Sequence, residues 1–349
     1  MDVMRTEDPY LVIDYAMKNG LTDSPGFEWI DSYLEADKEH FQVLQAMKTS
    51  QDAKKYKFGV EVPRNPAHAL KLDKENGTQG WKDSIKAEID QIMEYEVFKV
   101  VPDGEHVPFG YKRIPYHIVH DVKFDGRLKS RLVAGGHRSP EVHKEEKYST
   151  VVSMEAVRVG FIMAKINGLQ VCAGDIGNAF LNAYTNEKLY IVAGPEFGPE
   201  LAGKKLIIDR SLYGLQSSGA RFHELTTKHF SKMGFHPTKA DLDLLIKKCD
   251  DGHYEYIARF VDDVMAFSKD PLAIMKTLGE TFTMKGVGAP RYYLGGDVME
   301  LDSQWEAEGL THSFSADTYI KNCIPKMEKL MGVNSFAKYK NTIKTMSLD

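Results

Sequence analysis

Disulfide chemistry, zinc-finger spacing and membrane-spanning runs are all missing from this sequence. Its 349 residues hold three cysteines, Cys172, Cys249 and Cys323, far apart along the chain. An odd, dispersed set gives no disulfide framework, and no cysteine pair has metal-finger spacing. The twelve histidines include no His-x-x-x-His pair with a helical Glu, so no zinc site is expected. No apolar run reaches the roughly 18 residues a spanning helix needs, and the opening Met-Asp-Val-Met-Arg-Thr-Glu-Asp lacks signal-peptide form. The expectation is a soluble, intracellular protein with no membrane partner. Repeats and low-complexity tracts are also missing.

A strong basic excess is missing too. The formal net charge is −5, which does not announce a nucleic-acid binder. The total conceals local patches. Tyr111–Arg138 carries seven cations against two acids, and Lys204–Lys232 carries six against two. Basic segments on an acidic chain fit a cleft that tracks a phosphate backbone, although two solvated faces would look the same by charge alone.

The remainder is ordinary globular material, 42% hydrophobic and 27% charged, so nothing marks the bulk as disordered. The length predicts two or three subdomains. Leu11–Lys18 and Trp29–Met47 have helical periodicity. Trp81–Tyr95 is amphipathic, with Trp81, Ile85, Ile89, Ile92 and Met93 on one face and Lys82, Lys86, Glu88 and Asp90 predicted outward. Ile114–Ala134 reads as a hairpin around Asp125-Gly126, a type I′ turn signal. Lys129 and Arg131 alternate onto one face of its return strand, either as a clamp for a triphosphate or as the wet side of an edge strand.

Helices are expected over Ala156–Asn167, from Asn178 to Tyr184, and from about Gly219 to Met233. Strands are expected at Val171–Asp175 and Lys188–Ala193. A last helix spans Thr318–Leu330, with Ile320, Ile324, Met327 and Met331 as its buried stripe. The order predicts an α+β fold, an antiparallel sheet with helices on one face.

The most informative stretch is Phe260-Val261-Asp262-Asp263, between Tyr256-Ile257-Ala258-Arg259 and Val264-Met265-Ala266-Phe267. It predicts a tight hairpin with two carboxylates at its tip. Adjacent like charges tolerate each other best when a cation bridges them, and paired hard oxygens suit Mg²⁺ with substrate phosphates. Asp175, ending a strand, supplies a third acid, the number that two-metal nucleotidyl transfer uses. Taken singly, an Asp-Asp pair is also a common solvated turn, and Asp175 could equally cap a helix.

The segments together resemble the reverse transcriptase of copia-type LTR retrotransposons, roughly from Tyr56 to Gly332. The resemblance rests on Lys57-Phe58-Gly59-Val60-Glu61-Val62-Pro63, Gly80-Trp81-Lys82-Asp83, Arg131-Leu132-Val133-Ala134-Gly135-Gly136-His137, Asp175-Ile176-Gly177-Asn178-Ala179-Phe180-Leu181, Ser211-Leu212-Tyr213-Gly214-Leu215 and Phe260-Val261-Asp262-Asp263, in the family's order and spacing. It implies a right-hand polymerase of fingers, antiparallel-sheet palm and small helical thumb. The boundaries expected are 1–75 as a helical N-terminal extension, 76–170 as fingers with the start of the palm, 171–285 as palm, and 286–349 as primer-grip-like hairpin and thumb.

Carried over residue by residue, the resemblance implies that Asp175, Asp262 and Asp263 are the catalytic acids and the ligands of two Mg²⁺, with Mn²⁺ also suited. Lys129, Arg131 and Lys285 would lie near the incoming triphosphate, Phe180 under its sugar, and Gly214 and Gln216 beside the nucleotide. Tyr292, Tyr293, Leu294 and Gly295 resemble the primer grip. The implied partners are dNTP, an RNA template with a DNA or tRNA primer, and the RNase H and integrase regions of a parent polyprotein. The implied location is a cytoplasmic virus-like particle or the nucleus. Departures from the family pattern include Ser130 for Ala, Gln216 for a cation, Phe222 for Trp and Phe260 for Tyr. A catalytically silent, retrotransposon-derived nucleic-acid-binding protein, another two-metal enzyme such as a nuclease, and a generic binding module are the competing readings.

Overall fold

The computed structural model describes residues 54–123, 125–139, 147–300 and 312–331. The helices expected at Leu11–Lys18 and Trp29–Met47 lie outside them. Contacts divide the chain into two units, a smaller one formed by the segment ending at Pro63 with Asp121–Arg127, and a larger one formed by the rest.

In the smaller unit, β1 (Lys55–Lys57) and β2 (Val60–Val62) make an antiparallel hairpin. Lys57 Nζ pairs with Asp121 Oδ1 at 2.6 Å. The described part of the expected helical extension therefore begins with strands. The turn at Asp125-Gly126 is not the two-residue type I′ form. The Lys123 N–H donates to the Arg127 carbonyl and the Gly126 N–H to the Lys123 carbonyl. The loop is thus one residue longer, and its last position, Gly126, takes φ 82° in the left-handed region.

The larger unit begins with α1 (Pro66–Asn76) and α2 (Gly80–Glu94). Trp81, Ile85, Ile89 and Ile92 are buried, as the periodicity predicts. Glu88, expected outward, is buried as well. Its Oε1 accepts from the Leu132 N–H at 3.0 Å, and its Oε2 lies 3.2 Å from Lys129 Nζ. A buried carboxylate persists only when paired and hydrogen-bonded, and the strand carrying Lys129 supplies both partners.

That strand is β6 (Leu128–Ala134), paired with β5 (Tyr116–Val122). A four-stranded sheet runs β3–β9–β8–β4, from β3 (Phe98–Val100), β4 (Lys112–Arg113), β8 (Leu189–Val192) and β9 (Lys205–Ile208). Segments from either side of residue 170 share this sheet.

The central sheet is antiparallel and six-stranded, in the order β10–β11–β12–β13–β7–β14. Its members are β7 (Gln170–Ile176), β10 (His236–Pro237), β11 (Leu244–Lys248), β12 (Tyr254–Phe260), β13 (Asp263–Ser268) and β14 (Met284–Gly288). Helices cover both faces rather than the one expected. Cys172, Ile176, Ile257, Val264 and Ala266 pack with Phe222 and Phe230 of α4 (Ser218–Lys232) and Ile274 and Leu278 of α5 (Pro271–Gly279). The alternate residues Ala258, Met265 and Phe267 pack with Val157 and Ala164 of α3 (Met154–Asn167) and with Tyr293 and Val298. The signal is in the strands: β13 is buried at every position after Asp263, which is the mark of a strand enclosed on both sides.

The helix expected from Asn178 is only a 3₁₀ turn, Ala179–Asn182. Asn178 sits at φ 54°, and the Asn182 side-chain amide donates to the carbonyls of Gly177, Asn178 and Ala179, which a longer helix would use itself. A smaller sheet of β15 (Tyr292–Tyr293), β16 (Gly296–Glu300) and β17 (His312–Ser315) is followed by α6 (Asp317–Met331). The stripe expected to be buried on α6 is not. Ile320, Ile324 and Met327 are exposed.

Candidate active site

The three aspartates come together at one end of the central sheet. β12 and β13 join through Val261-Asp262, with Phe260 paired to Asp263. Val261 takes φ 53°, a region a β-branched residue enters only under strain, as found at functional sites. The Asp262 carbonyl accepts from the Ile176 N–H at 2.7 Å, which ties the tip to the end of β7. On β7, Asp175 stands directly opposite Asp263 in the ladder. Directly opposed residues on adjacent antiparallel strands have Cα atoms about 4.5–5.5 Å apart, with both side chains on one face. Sequence positions separated by almost ninety residues therefore become nearest neighbours.

The electrostatics follow from this packing. Burial, then the charges of Asp262 and Asp175, push the Asp263 carboxyl up to about 6. On the other edge of β7, Lys285 is the ladder partner of Asp175. Asp263, Asp175 and Lys285 thus form a row across three adjacent strands. The Lys285 side chain lies against Gly177, where an added Cβ would come within 2.8 Å of its Cε. A cavity of about 590 Å³ opens beside the acids, lined by Asp175, Asp263, Lys285, Arg291, Tyr292 and Tyr293 among others.

Phe180 and Arg131 meet through Tyr213. The Phe180 and Tyr213 rings lie edge to face at 5.1 Å, and the Arg131 guanidinium lies 5.5 Å from the Tyr213 ring centre. Burial raises the Tyr213 phenol, while a hydrogen bond and the charge from Arg131 oppose the rise. Lys129 shares the Arg131 face but is turned onto Glu88. Gly214 has φ 89°, and a Cβ there would lie 2.2 Å from the Ala134 carbonyl oxygen. The Ala134 N–H in turn donates to the Tyr213 carbonyl at 2.7 Å. Only glycine permits this approach of two backbones. Gln216 reaches the same junction, donating to the Gly136 carbonyl and to Ser139 Oγ.

The segment Tyr292 to Gly295 is a tight hairpin between β15 and β16, with Leu294 at φ 48° and Gly295 at φ 82°. The Tyr293 hydroxyl donates to the Ala258 carbonyl of β12 at 3.3 Å. This attaches the hairpin to the strand that leads to the acids.

Several residues were not singled out from sequence. Tyr213 lay inside a noted run without a role. Arg259 closes the stretch Tyr256-Ile257-Ala258-Arg259 before the tip, yet it is a buried cation whose Nε donates to the buried Asp243 Oδ1 at 2.8 Å. Its guanidinium also donates to Thr226 and Thr227 of α4. Its position just before the tip signals scaffold, because a strand interior tolerates a cation only when it is paired.

Among the described residues, one trio of His, Cys, Asp or Glu side chains has donor atoms all within 4.8 Å of one another, and it is not the aspartate trio. The aspartates nevertheless offer hard oxygen donors in a partly desolvated place where they repel one another. That donor set suits divalent Mg²⁺ or Mn²⁺.

Comparison with known proteins gives the family of the chain. The model of the reverse transcriptase (RNA-dependent DNA polymerase) family matches residues 95–338, over two thirds of the chain. The chain is 27% identical over 224 residues to the retrovirus-related Pol polyprotein from transposon TNT 1-94 of Nicotiana tabacum, covering 61% of this chain and 16% of that one. It is 29% identical over 222 residues to the truncated transposon Ty1-A Gag-Pol polyprotein of Saccharomyces cerevisiae, covering 62% and 18%. The chain thus spans less than a fifth of the length of these relatives. A foamy viral protease-reverse transcriptase solved with double-stranded DNA is 16% identical, with a TM-score of 0.37 over 65% of this chain and 36% of that one. The chain belongs to the reverse transcriptase (RNA-dependent DNA polymerase) family, in its copia-type retrotransposon branch.

Proposed function

We propose that the chain is a template-directed DNA polymerase that extends a primer on an RNA or DNA template by two-metal nucleotidyl transfer. The observation that carries this reading is the pairing of Asp175 with Asp263 in one ladder, with Asp262 at the adjoining tip. Asp175, Asp262 and Asp263 would hold the two cations, Mg²⁺ or Mn²⁺. When bound, such ions activate a primer 3′-hydroxyl and neutralise charge on the departing pyrophosphate.

The remaining work falls to this chain's side chains, since phosphoryl transfer demands mostly positioning and charge. Lys285, beside Asp175, offers a cation to the triphosphate. Arg131 offers another, held in place by Tyr213. Lys129 fixes the β6 strand through Glu88 and is the weaker candidate for triphosphate contact. Phe180 forms the floor on which the sugar of the incoming nucleotide rests. Gly214 and Gln216 join that floor to the fingers hairpin. Tyr292 to Gly295 would steady the primer. Template and primer would be held by backbone and duplex shape, because base pairing reads the sequence. The Pol and Gag-Pol polyprotein relatives support a setting within a longer polyprotein.

Primer extension on poly(rA)–oligo(dT), with wild type and Asp262→Asn, tests the reading. The wild type extends, and the variant loses on the order of 10³-fold or more in rate while still binding template–primer. Near-normal extension by Asp262→Asn removes the assignment of the acids. A wild type that binds without extending identifies a silent family member, and one that degrades the duplex instead identifies a nuclease.

A further inference from the structure

The hairpin between β11 and β12 carries a second concentration of metal-binding chemistry, at the end of β12 away from the aspartates. The Cys249 N–H donates to the His253 carbonyl at 2.9 Å, and the Gly252 N–H to the Cys249 carbonyl at 3.0 Å. Cys249 and His253 therefore face each other across the mouth of the loop. Lys247 is the ladder partner of Glu255. With side chains alternating along each strand, Cys249, His253 and Glu255 share one face. One ligand atom from each, a thiol sulfur, a ring nitrogen and a carboxylate oxygen, lies within 4.8 Å of the other two.

Two further observations point to an ion. The Nδ1 of His253 is hydrogen-bonded to the Asp251 carboxylate, which is anchored by Lys269 at 2.6 Å. That contact presents Nε2 to the trio, where it is buried and has no hydrogen-bond partner. A carboxylate on one ring nitrogen and a vacant, desolvated second nitrogen is the arrangement of a metal-ligating histidine. Glu255 is likewise oriented, since its Oε1 accepts from Ser268 Oγ at 2.5 Å. A buried imidazole nitrogen without a partner is costly, and hydrogen bonding inside the hairpin leaves it unexplained.

We propose that Cys249, His253 and Glu255 form a zinc site that staples the β11–β12 hairpin. A thiolate excludes Mg²⁺ and Ca²⁺ as natural occupants, whereas sulfur, imidazole and carboxylate together suit Zn²⁺, with a water completing the tetrahedron. Binding releases the thiol proton to solvent. A thiolate, a carboxylate and a neutral imidazole then balance the 2+ charge. Lys247 Nζ lies 3.8 Å from Glu255 Oε2 and 5.3 Å from the Phe235 ring centre, beyond hydrogen-bond reach of the carboxylate, so an ion can displace it. Six residues, Tyr256 to Val261, separate Glu255 from Asp262, so the two sites lie at opposite ends of β12 and are distinct. The spacing Cys-x₃-His-x-Glu contains no cysteine pair and no helical histidine pair, which is why sequence alone gave no zinc expectation.

The test uses the full chain, reduced with a phosphine and stripped by chelator, in an Asp262→Asn, Asp263→Asn background that disables the other cation site. Zinc is titrated against a chromophoric chelator, and Co²⁺ is read spectroscopically as its substitute. The expected result is one zinc per chain, with tetrahedral cobalt bands and a thiolate-to-cobalt charge-transfer band. Cys249→Ser abolishes that band. Asp251→Asn, which only orients His253, weakens zinc binding about 10- to 100-fold. Zinc should also shield Cys249 from alkylation, read by peptide mass. Lack of stoichiometric binding by the parent protein, cobalt spectra without a thiolate band, or zinc affinity unchanged by Cys249→Ser would each overturn the proposal. The cobalt spectrum needs no substitution in the hairpin, so a misfolded variant cannot mask the outcome.

Discussion

Lys285 stands directly opposite Asp175 across the β7–β14 ladder, in the same row as Asp263. One cation therefore closes a line of carboxylates on the side away from the β12–β13 tip. Lys285→Met keeps the stem but removes the charge. It should raise the apparent KM for dNTP roughly tenfold, equivalent to about 1.4 kcal/mol of contact to phosphate. Lys285→Arg should recover most of the loss. Steady-state extension at varied dNTP checks this, and an unchanged KM in the Met variant removes Lys285 from the nucleotide site.

Asp263 gives the metal-free protein a pH signature. Its folded carboxyl titrates near 6, above the ordinary 3.8. The folded chain then holds this proton more tightly than the unfolded one. The group's contribution is fully present below about pH 4, falls as pH rises to about 6, and stays low above that. Partial solvent exposure limits the loss to about 1–3 kcal/mol. In chelator at pH 8, Asp263→Asn should melt a few degrees higher than wild type, with the gap closing towards pH 4. Equal melting at both pH values contradicts the repulsion between the three acids.

The Arg259–Asp243 pair supports the tip from inside the protein. Asp243→Ala leaves a buried guanidinium without its anion and should cost about 3–5 kcal/mol in denaturant unfolding. The double replacement Arg259→Met, Asp243→Leu should recover much of that. If the single change costs less than about 1 kcal/mol, the pair has no structural role.

Tyr213 links Arg131 to Phe180, so two substitutions separate charge from shape. Tyr213→Phe removes only the hydroxyl contact with Arg131 and should raise dNTP KM several-fold with sugar selectivity intact. Phe180→Ala should relax discrimination against ribonucleotides on the order of 10- to 100-fold, about 1–3 kcal/mol. Competition between dNTP and rNTP on one template separates the outcomes. Unchanged selectivity in Phe180→Ala discards the sugar-contact role.

Local patterns in the chain announced the short-range features well. The amphipathic face of α2, the tip at Asp262-Asp263 and the hairpin of β5 and β6 all depend on near neighbours, and each is where its residues suggest. What depends on distant partners was hidden. Glu88 looked like a solvent-facing helix residue because its partners, Leu132 and Lys129, come from a strand over forty positions later. Arg259 gives no local sign of its partner, Asp243, sixteen positions earlier. The one-residue difference in the Asp125-Gly126 loop, and the curtailed helix after Asn178, were decided by particular hydrogen bonds that periodicity does not register.

The position of β7 also governs how the molecule can be made. Both of its neighbours, β13 and β14, are encoded after it, the nearer by almost ninety residues. At a synthesis rate of about 5–20 residues per second, Asp175 spends several seconds outside the ribosome before either flank of its strand exists. Ribosomes halted before codon 263 would release a fragment with two bare, apolar strand edges, a template for intermolecular pairing. Premature termination in this interval should therefore yield insoluble product rather than a partly working enzyme.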